Sequence, residues 1–210
     1  MKELQSLFLK EAEENFALPI DDRVFERILA EMVGRPDLMA GRTSITLAEG
    51  MTGMSENAFL SIKNKSKTIT AEIDVPEGTV ANGAIIVQGG RFGGWGLYVH
   101  DGVPAYDYNF LGMERFTVAA QEKLKPGNST IRFEFAYDGG GPGKGGTGRL
   151  YVNDKKVGEG RIGRTQPTIF SADETADVGI DLATPVVEII GAERKSKFTG
   201  RIPKVSVELK

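Results

Sequence analysis

An antiparallel β-sandwich of jelly-roll or concanavalin-like form, preceded by two short helices, is the all-β fold this sequence predicts. Three observations lead there. Ile131, Phe133, Phe135 and Tyr137 alternate with Arg132, Glu134 and Ala136, and Leu150 and Val152 resume the pattern beyond a glycine-rich run containing Pro142. That is the period of two half-buried strands joined as a long hairpin. About ten short segments of this kind follow Thr43, with turn signals every 8–12 residues or so. Glycine supplies 27 of the 210 residues, about 13% against an ordinary usage of roughly 7%, which suits many tight turns.

The chain opens helical. Leu4, Leu7, Phe8, Ala12 and Phe16 fall near one helical stripe that Leu18-Pro19-Ile20 interrupts. Asp21 is placed to cap a second helix with Val24, Phe25, Ile28, Leu29, Met32 and Val33 on one face, and Gly34-Arg35-Pro36 stops it. Residues 1–42 are thus expected to form a helical segment that packs on the sandwich or on a partner, and 43–210 the sandwich domain.

The strands follow in order. Ile69, Ala71, Ile73 and Val75 alternate with polar residues up to the turn Pro76-Glu77-Gly78, and Ala84–Val87 is apolar throughout, as a strand covered on both faces would be. Trp95, Leu97 and Val99 lead to Asp101-Gly102, a hairpin signal, after which Tyr106, Tyr108 and Phe110 share a face opposite Asp107 and Asn109. The Ile131 and Leu150 strands continue through the polar turn Asn153–Lys156 to Val157–Ile162. Residues 165–181 read as irregular and acidic, and Val186–Ile190, Phe198–Ile202 and Val205–Leu209 as closing strands.

Composition narrows the function. A net charge of −3 offers no electrostatic case for nucleic acid or an anionic membrane, and no apolar run approaches a membrane span. The start, Met1-Lys2-Glu3-Leu4, lacks a signal-peptide core, and the compartment stays open. Without cysteine there is no disulfide or thiol nucleophile, and the single histidine, His100, reads as a strand residue beside a turn.

Candidate chemistry is sparse. Glu72 and Asp74 would share a strand face, as the paired carboxylates of a retaining glycosidase do, but Pro76 ends the strand before Glu77 can join them, and a solvated edge accounts for them equally. Gly141–Gly146 matches a dinucleotide-binding glycine pattern, yet it lies between antiparallel strands and opens no helix. Asp173, Glu174, Asp177 and Asp181 could offer oxygen ligands to calcium, although their spacing fits no EF-hand loop. The turn Gln88–Trp95 carries an arginine and two aromatics able to stack a sugar ring or grip an anion.

Gln88–Trp95, Tyr108–Gly112, Arg132–Gly141 with Gly143–Gly146, and Arg164–Pro167 with Phe170–Gly179 together resemble the C-terminal region of bacterial arylsulfatases, and Glu3–Gln5 with Leu18–Arg23 resembles the segment after the sulfatase core. The resemblance implies a non-catalytic β-sandwich behind an alkaline-phosphatase-like catalytic domain, in a family whose members are periplasmic or cytoplasmic. The sulfatase C/S-x-P-S/A-R motif is absent, so no catalytic residue carries over. The expected partner is then a sulfatase catalytic domain in the same or a neighbouring chain, whose substrate access the module would shape. A lectin-like module binding carbohydrate is the alternative, and an independent glycoside hydrolase a third reading. The candidate binding residues are Arg91, Trp95, Tyr108, Asn109, Lys144, Arg164, Asp173 and Glu174.

Overall fold

The computed structural model describes residues 1–18 and 38–210. The chain divides into two compact units, Met1–Pro36 and Asp37–Lys210. In the first, helix α1 spans Lys2–Glu14. Asn15 closes it by donating to the Glu11 carbonyl, and Phe16 has a positive φ of 55°. The expected stripe therefore loses Phe16, which lies beyond the helix. The second expected helix falls on residues outside those described.

The second unit is two antiparallel sheets. One has six strands in the order β1 (Ser44–Leu47), β11 (Arg201–Leu209), β2 (Lys67–Val75), β7 (Gly127–Tyr137), β8 (Lys144–Val152) and β9 (Lys155–Arg164). The other has five, in the order β10 (Ala176–Val178), β3 (Gly83–Gly90), β4 (Gly93–His100), β5 (Val103–Phe110) and β6 (Glu114–Ala119). Between them Ile69, Ile73, Leu97, Ile131, Phe133, Leu150 and Val207 fill a core crossed by the aromatic series Phe59, Trp95, Tyr106 and Phe133. All are removed from water, and this burial is the main term holding the sheets together.

Several expectations need correction. Val186–Ile190 is not a strand but an unpaired strap whose Val186, Val187 and Ile190 pack on Ala84, Val87, Tyr98 and Ala105, the outer side of the five-stranded sheet. Its apolar run reflects that cover. Phe198–Ile202 and Val205–Leu209 are not two strands; Arg201–Leu209 forms one, with a register shift between Arg201 and Lys204 that brings Ile202, Val205 and Val207 all inward. Within β3 a bulge between Ala84 and Ile86 turns both Ile85 and Ile86 into the core while Ala84 and Val87 face the strap.

The long hairpin is β7–β8, with Ile131, Phe133 and Phe135 buried as their alternation requires. Its reversing loop is shorter than the glycine run, because Gly145, Gly146 and Gly148 belong to β8. A Cβ at Gly148 would stand 2.8 Å from the Phe133 ring, so this glycine makes room for an aromatic across the strand pair. Strands β1, β6 and β10, short and at sheet edges, escape sequence reading.

Candidate functional site

Antiparallel connectivity places alternate turns at the same end of a sandwich. Here the β3–β4 turn, the β5–β6 turn, the β7–β8 loop and the chain leaving β9 gather at one end: the register pairs Gly90–Gly93, Phe110–Glu114, Tyr137–Gly146 and Lys144–Arg164 set the turns within each sheet, and bonds from Gln166 to Tyr108 and from Arg164 to Glu114 join the two sheets there. All eight sequence-nominated residues belong to this end or to the segment beside it, in different roles.

Three are buried framework. Trp95 is wholly inside, its indole N–H donating to Gln88 Oε1 at 3.0 Å. Tyr108 is also buried; its hydroxyl accepts from the Gln166 backbone N–H at 2.7 Å, tying the chain after β9 to β5. Asn109 clamps the neighbouring turn: its amide nitrogen donates to the carbonyls of Gly90 and Arg91, each at 2.9 Å, and its Oδ1 accepts from the Gly112 N–H at 3.0 Å. One buried side chain thus fixes the tips of two hairpins. Gly93 completes the fit, since a Cβ there would collide with the Gln166 amide.

The exposed residues are displayed on that frame. The Arg91 guanidinium has no ion-pair partner among the described residues, and its backbone N–H donates to Thr184 Oγ1 at 2.9 Å. Beside it Phe92 is 74% exposed, near Leu111 and Met113, also exposed. Gly112 packs under this tip, where a Cβ would stand 3.1 Å from the Arg91 carbonyl oxygen. Arg164 is committed to Glu114 through two hydrogen bonds of 3.1 and 2.8 Å and lies over the Phe110 ring, 4.3 Å from its centroid. Lys144 starts β8, exposed. Phe92 was not among the nominated residues; its signal was parity, because Trp95, Leu97 and Val99 point inward and leave the turn aromatic outside.

The acidic segment is mostly hydrogen-bonded. Asp173 accepts from Ser171 Oγ at 2.9 Å, Glu174 from Thr184 Oγ1 at 2.5 Å, and Asp177 from the Gly53 N–H at 2.7 Å. Asp181 is fully buried, with Oδ2 accepting from the Val186 N–H at 2.9 Å while Oδ1 has no partner among the described residues. Burial, with Asp177 and Glu174 nearby, pushes its carboxyl up to about 7. Among the described residues no three carboxylate or histidine side chains come together as a metal site.

Two antiparallel sheets around an aromatic core, with loops gathered at one end, define a jelly-roll-like sandwich. No family model and no curated protein matches the chain. Among solved structures, the CBM40 module of the Ruminococcus gnavus IT-sialidase bound to α2,3-sialyllactose is similar, with a TM-score of 0.52 at 14% identity over 80% of this chain and 90% of that one. The same module bound to α2,6-sialyllactose gives 0.51. The K499G mutant of NanB sialidase from Streptococcus pneumoniae gives 0.52 at 11% identity, over 78% of this chain and 25% of that one. At such identities the likeness is one of fold.

These neighbours overturn the arylsulfatase resemblance, since they are sialidase and carbohydrate-binding sandwiches and not sulfatase C-terminal domains. The blocks that carried it have a geometric explanation. Gln88–Trp95 and Phe133–Gly141 are strand ends running into glycine turns with aromatics at inward positions, which a sandwich of this size requires whatever its lineage.

Proposed function

We propose that the sandwich is a non-catalytic carbohydrate-binding module that takes its glycan at the loop end. The observation that carries this reading is Phe92, an exposed aromatic face beside the unpaired Arg91, on a tip held by the three hydrogen bonds of Asn109. A sugar's apolar face stacks on such a ring, and a guanidinium takes hydroxyls or a carboxylate in a fixed fork. The clamped backbone lowers the ordering cost of binding. The relative bound to sialyllactose lends support at the level of fold.

Paired carboxylate catalysis finds less support. Glu72 is exposed and ion-paired with Lys204 at 3.5 Å.

Calorimetry with α2,3-sialyllactose and with lactose, followed by a broader glycan panel, tests the reading. Binding that Phe92→Ala or Arg91→Gln weakens at least about tenfold, roughly 1.4 kcal/mol, is the expected result. Glycan binding that both variants leave unchanged, or no binding across the panel, would overturn it.

A further inference from the structure

A recess lies on the outer side of the six-stranded sheet, at the end opposite the loop cluster. It is a surface groove of about 340 Å³ lined by Glu72, Ile73, Asn128, Ser129, Thr130, Asn153 and Pro203. The volume is at the lower bound of small-ligand sites, on the order of 300 Å³ and upward.

Its lining comes from β2, β7, β11 and the β8–β9 turn. Glu72 pairs with Thr130 across β2 and β7, and Asp74 with Asn128. Asn153, with a positive φ of 48°, begins the β8–β9 turn and is locked to β7 by two bonds: the Thr130 N–H donates to its Oδ1 at 2.8 Å, and its own N–H donates to the Thr130 carbonyl at 2.9 Å. The walls are therefore backbone-fixed.

The polar groups left over are what make the groove informative. Neither the Asn128 amide nor the Thr130 hydroxyl has a partner among the described residues, and Asn153 keeps its amide N–H₂ free because only its oxygen is engaged. Glu72 retains acceptor capacity beyond its 3.5 Å contact with Lys204. Both donors and acceptors are among the lining residues, with no aromatic ring and no cation. A flat apolar ligand has nothing to stack on, and an anion would meet Glu72. A neutral polyol has the alternating hydroxyls that such a set satisfies.

We infer that this groove is a second binding site, for a neutral sugar, independent of Phe92 and Arg91. Asp74 does not line it, so it holds one carboxylate and not the pair a glycosidase needs. The inference does not depend on the loop-end reading.

The test is nuclear magnetic resonance titration of the full chain with methyl α-D-glucoside, methyl α-D-galactoside and methyl α-D-mannoside to about 50 mM, a range that reveals even millimolar-or-weaker affinity. Saturable shifts of the Asn128 and Asn153 side-chain amides with at least one glycoside are expected. The Asn153 response should weaken at least tenfold in Asn128→Ala and in the near-isosteric Thr130→Val, and both responses should persist in Phe92→Ala. No shift at these amides with any of the three would overturn the inference. Shifts confined to the Arg91–Phe92 turn would overturn it too while sustaining the loop-end site.

Discussion

Phe133 lies flat on Tyr106, ring centroids 3.6 Å apart and 8° from parallel, with the bare Gly148 backbone against its edge. Removing the ring takes away Tyr106's stacking partner and leaves a cavity in the core, so Phe133→Ala should cost about 3–5 kcal/mol in denaturant titration; a loss under about 1 kcal/mol would show that the site collapses freely. Lys67 makes a different residue-scale statement. It is buried, its ammonium 4.7 Å from the Phe135 centroid and 3.5 Å from the Ile62 carbonyl, and burial followed by the charge of Lys63 lowers it from 10.5 to about 7. Between those values the unfolded chain holds a proton the native one lacks, so stability rises with pH from about 7 to 10.5. Asp181 works in the opposite sense: raised from 3.8 to about 7, it favours the native state below 3.8, and that stability is lost as pH rises through 7. The two together predict a stability minimum near neutrality. Above about pH 10 the buried phenols of Tyr98, Tyr106 and Tyr108, pushed up mainly by burial, reverse the alkaline gain. Chemical denaturation at pH 5, 7 and 9 checks this, with Lys67→Met expected to flatten the alkaline limb and Asp181→Asn the acid one; a maximum at pH 7 would refute it.

At the scale of elements, period-two alternation was legible in β2, β7 and β8, which have one dry face, and in β4 and β5, which are buried on both faces but keep their largest apolar residues on the core side. Alternation fails where the backbone departs from it. The β3 bulge puts two successive isoleucines inside, and the Val186–Ile190 strap buries apolar residues without pairing. Glycine carried two meanings the sequence could not separate: Gly139 and Gly140 take positive φ in the loop, whereas Gly146 and Gly148 sit within β8 to admit Phe135 and Phe133. The β8–β9 turn gives a sharper test of turn chemistry. Asn153 and Asp154 both have positive φ, 48° and 63°, the pattern of a type I′ hairpin that favours Asn-Gly. Asp154→Gly removes an unfavourable left-handed conformation at the loss of an exposed 3.3 Å contact with Arg132. It should therefore stabilise by roughly 0.5–1 kcal/mol, the left-handed term exceeding the flexibility that glycine adds to the unfolded chain; a lowered midpoint would reverse that ordering. Asn109 is the corresponding test at the loop end. Asn109→Ala leaves the Gly90 and Arg91 carbonyls and the Gly112 N–H without their partner, at about 1–3 kcal/mol, and should weaken glycan binding although Asn109 itself is buried.

For the molecule as a whole, the candidate site was legible as chemistry but not as a place. Arg91, Asn109, Lys144 and Arg164 stood out as polar residues near glycine turns, and only hairpin connectivity brings those turns to one end; it also sorts them, turning Trp95, Tyr108 and Asn109 into framework and leaving Arg91 and Phe92 outside. The groove around Asn128 and Asn153 had no sequence signal, because its walls are ordinary polar residues whose meaning comes from being adjacent across β2, β7 and the β8–β9 turn. The same view bears on autonomy. Among the described residues, the two apolar clusters, from Ile45 to Leu209, belong to the second unit, and each of its strands finds its hydrogen-bonding neighbours there. Residues 38–210 should then fold alone, as a chain that closes both its core and its sheet ladders is able to do. Calorimetry of 38–210 beside the full chain is expected to give one cooperative transition within about 3 °C of the full-length value, the shift that about 1 kcal/mol produces at this size. A transition lowered by 10 °C or so, or one that broadens and loses its calorimetric cooperativity, would mean that residues 1–37 contribute to the stability of the sandwich.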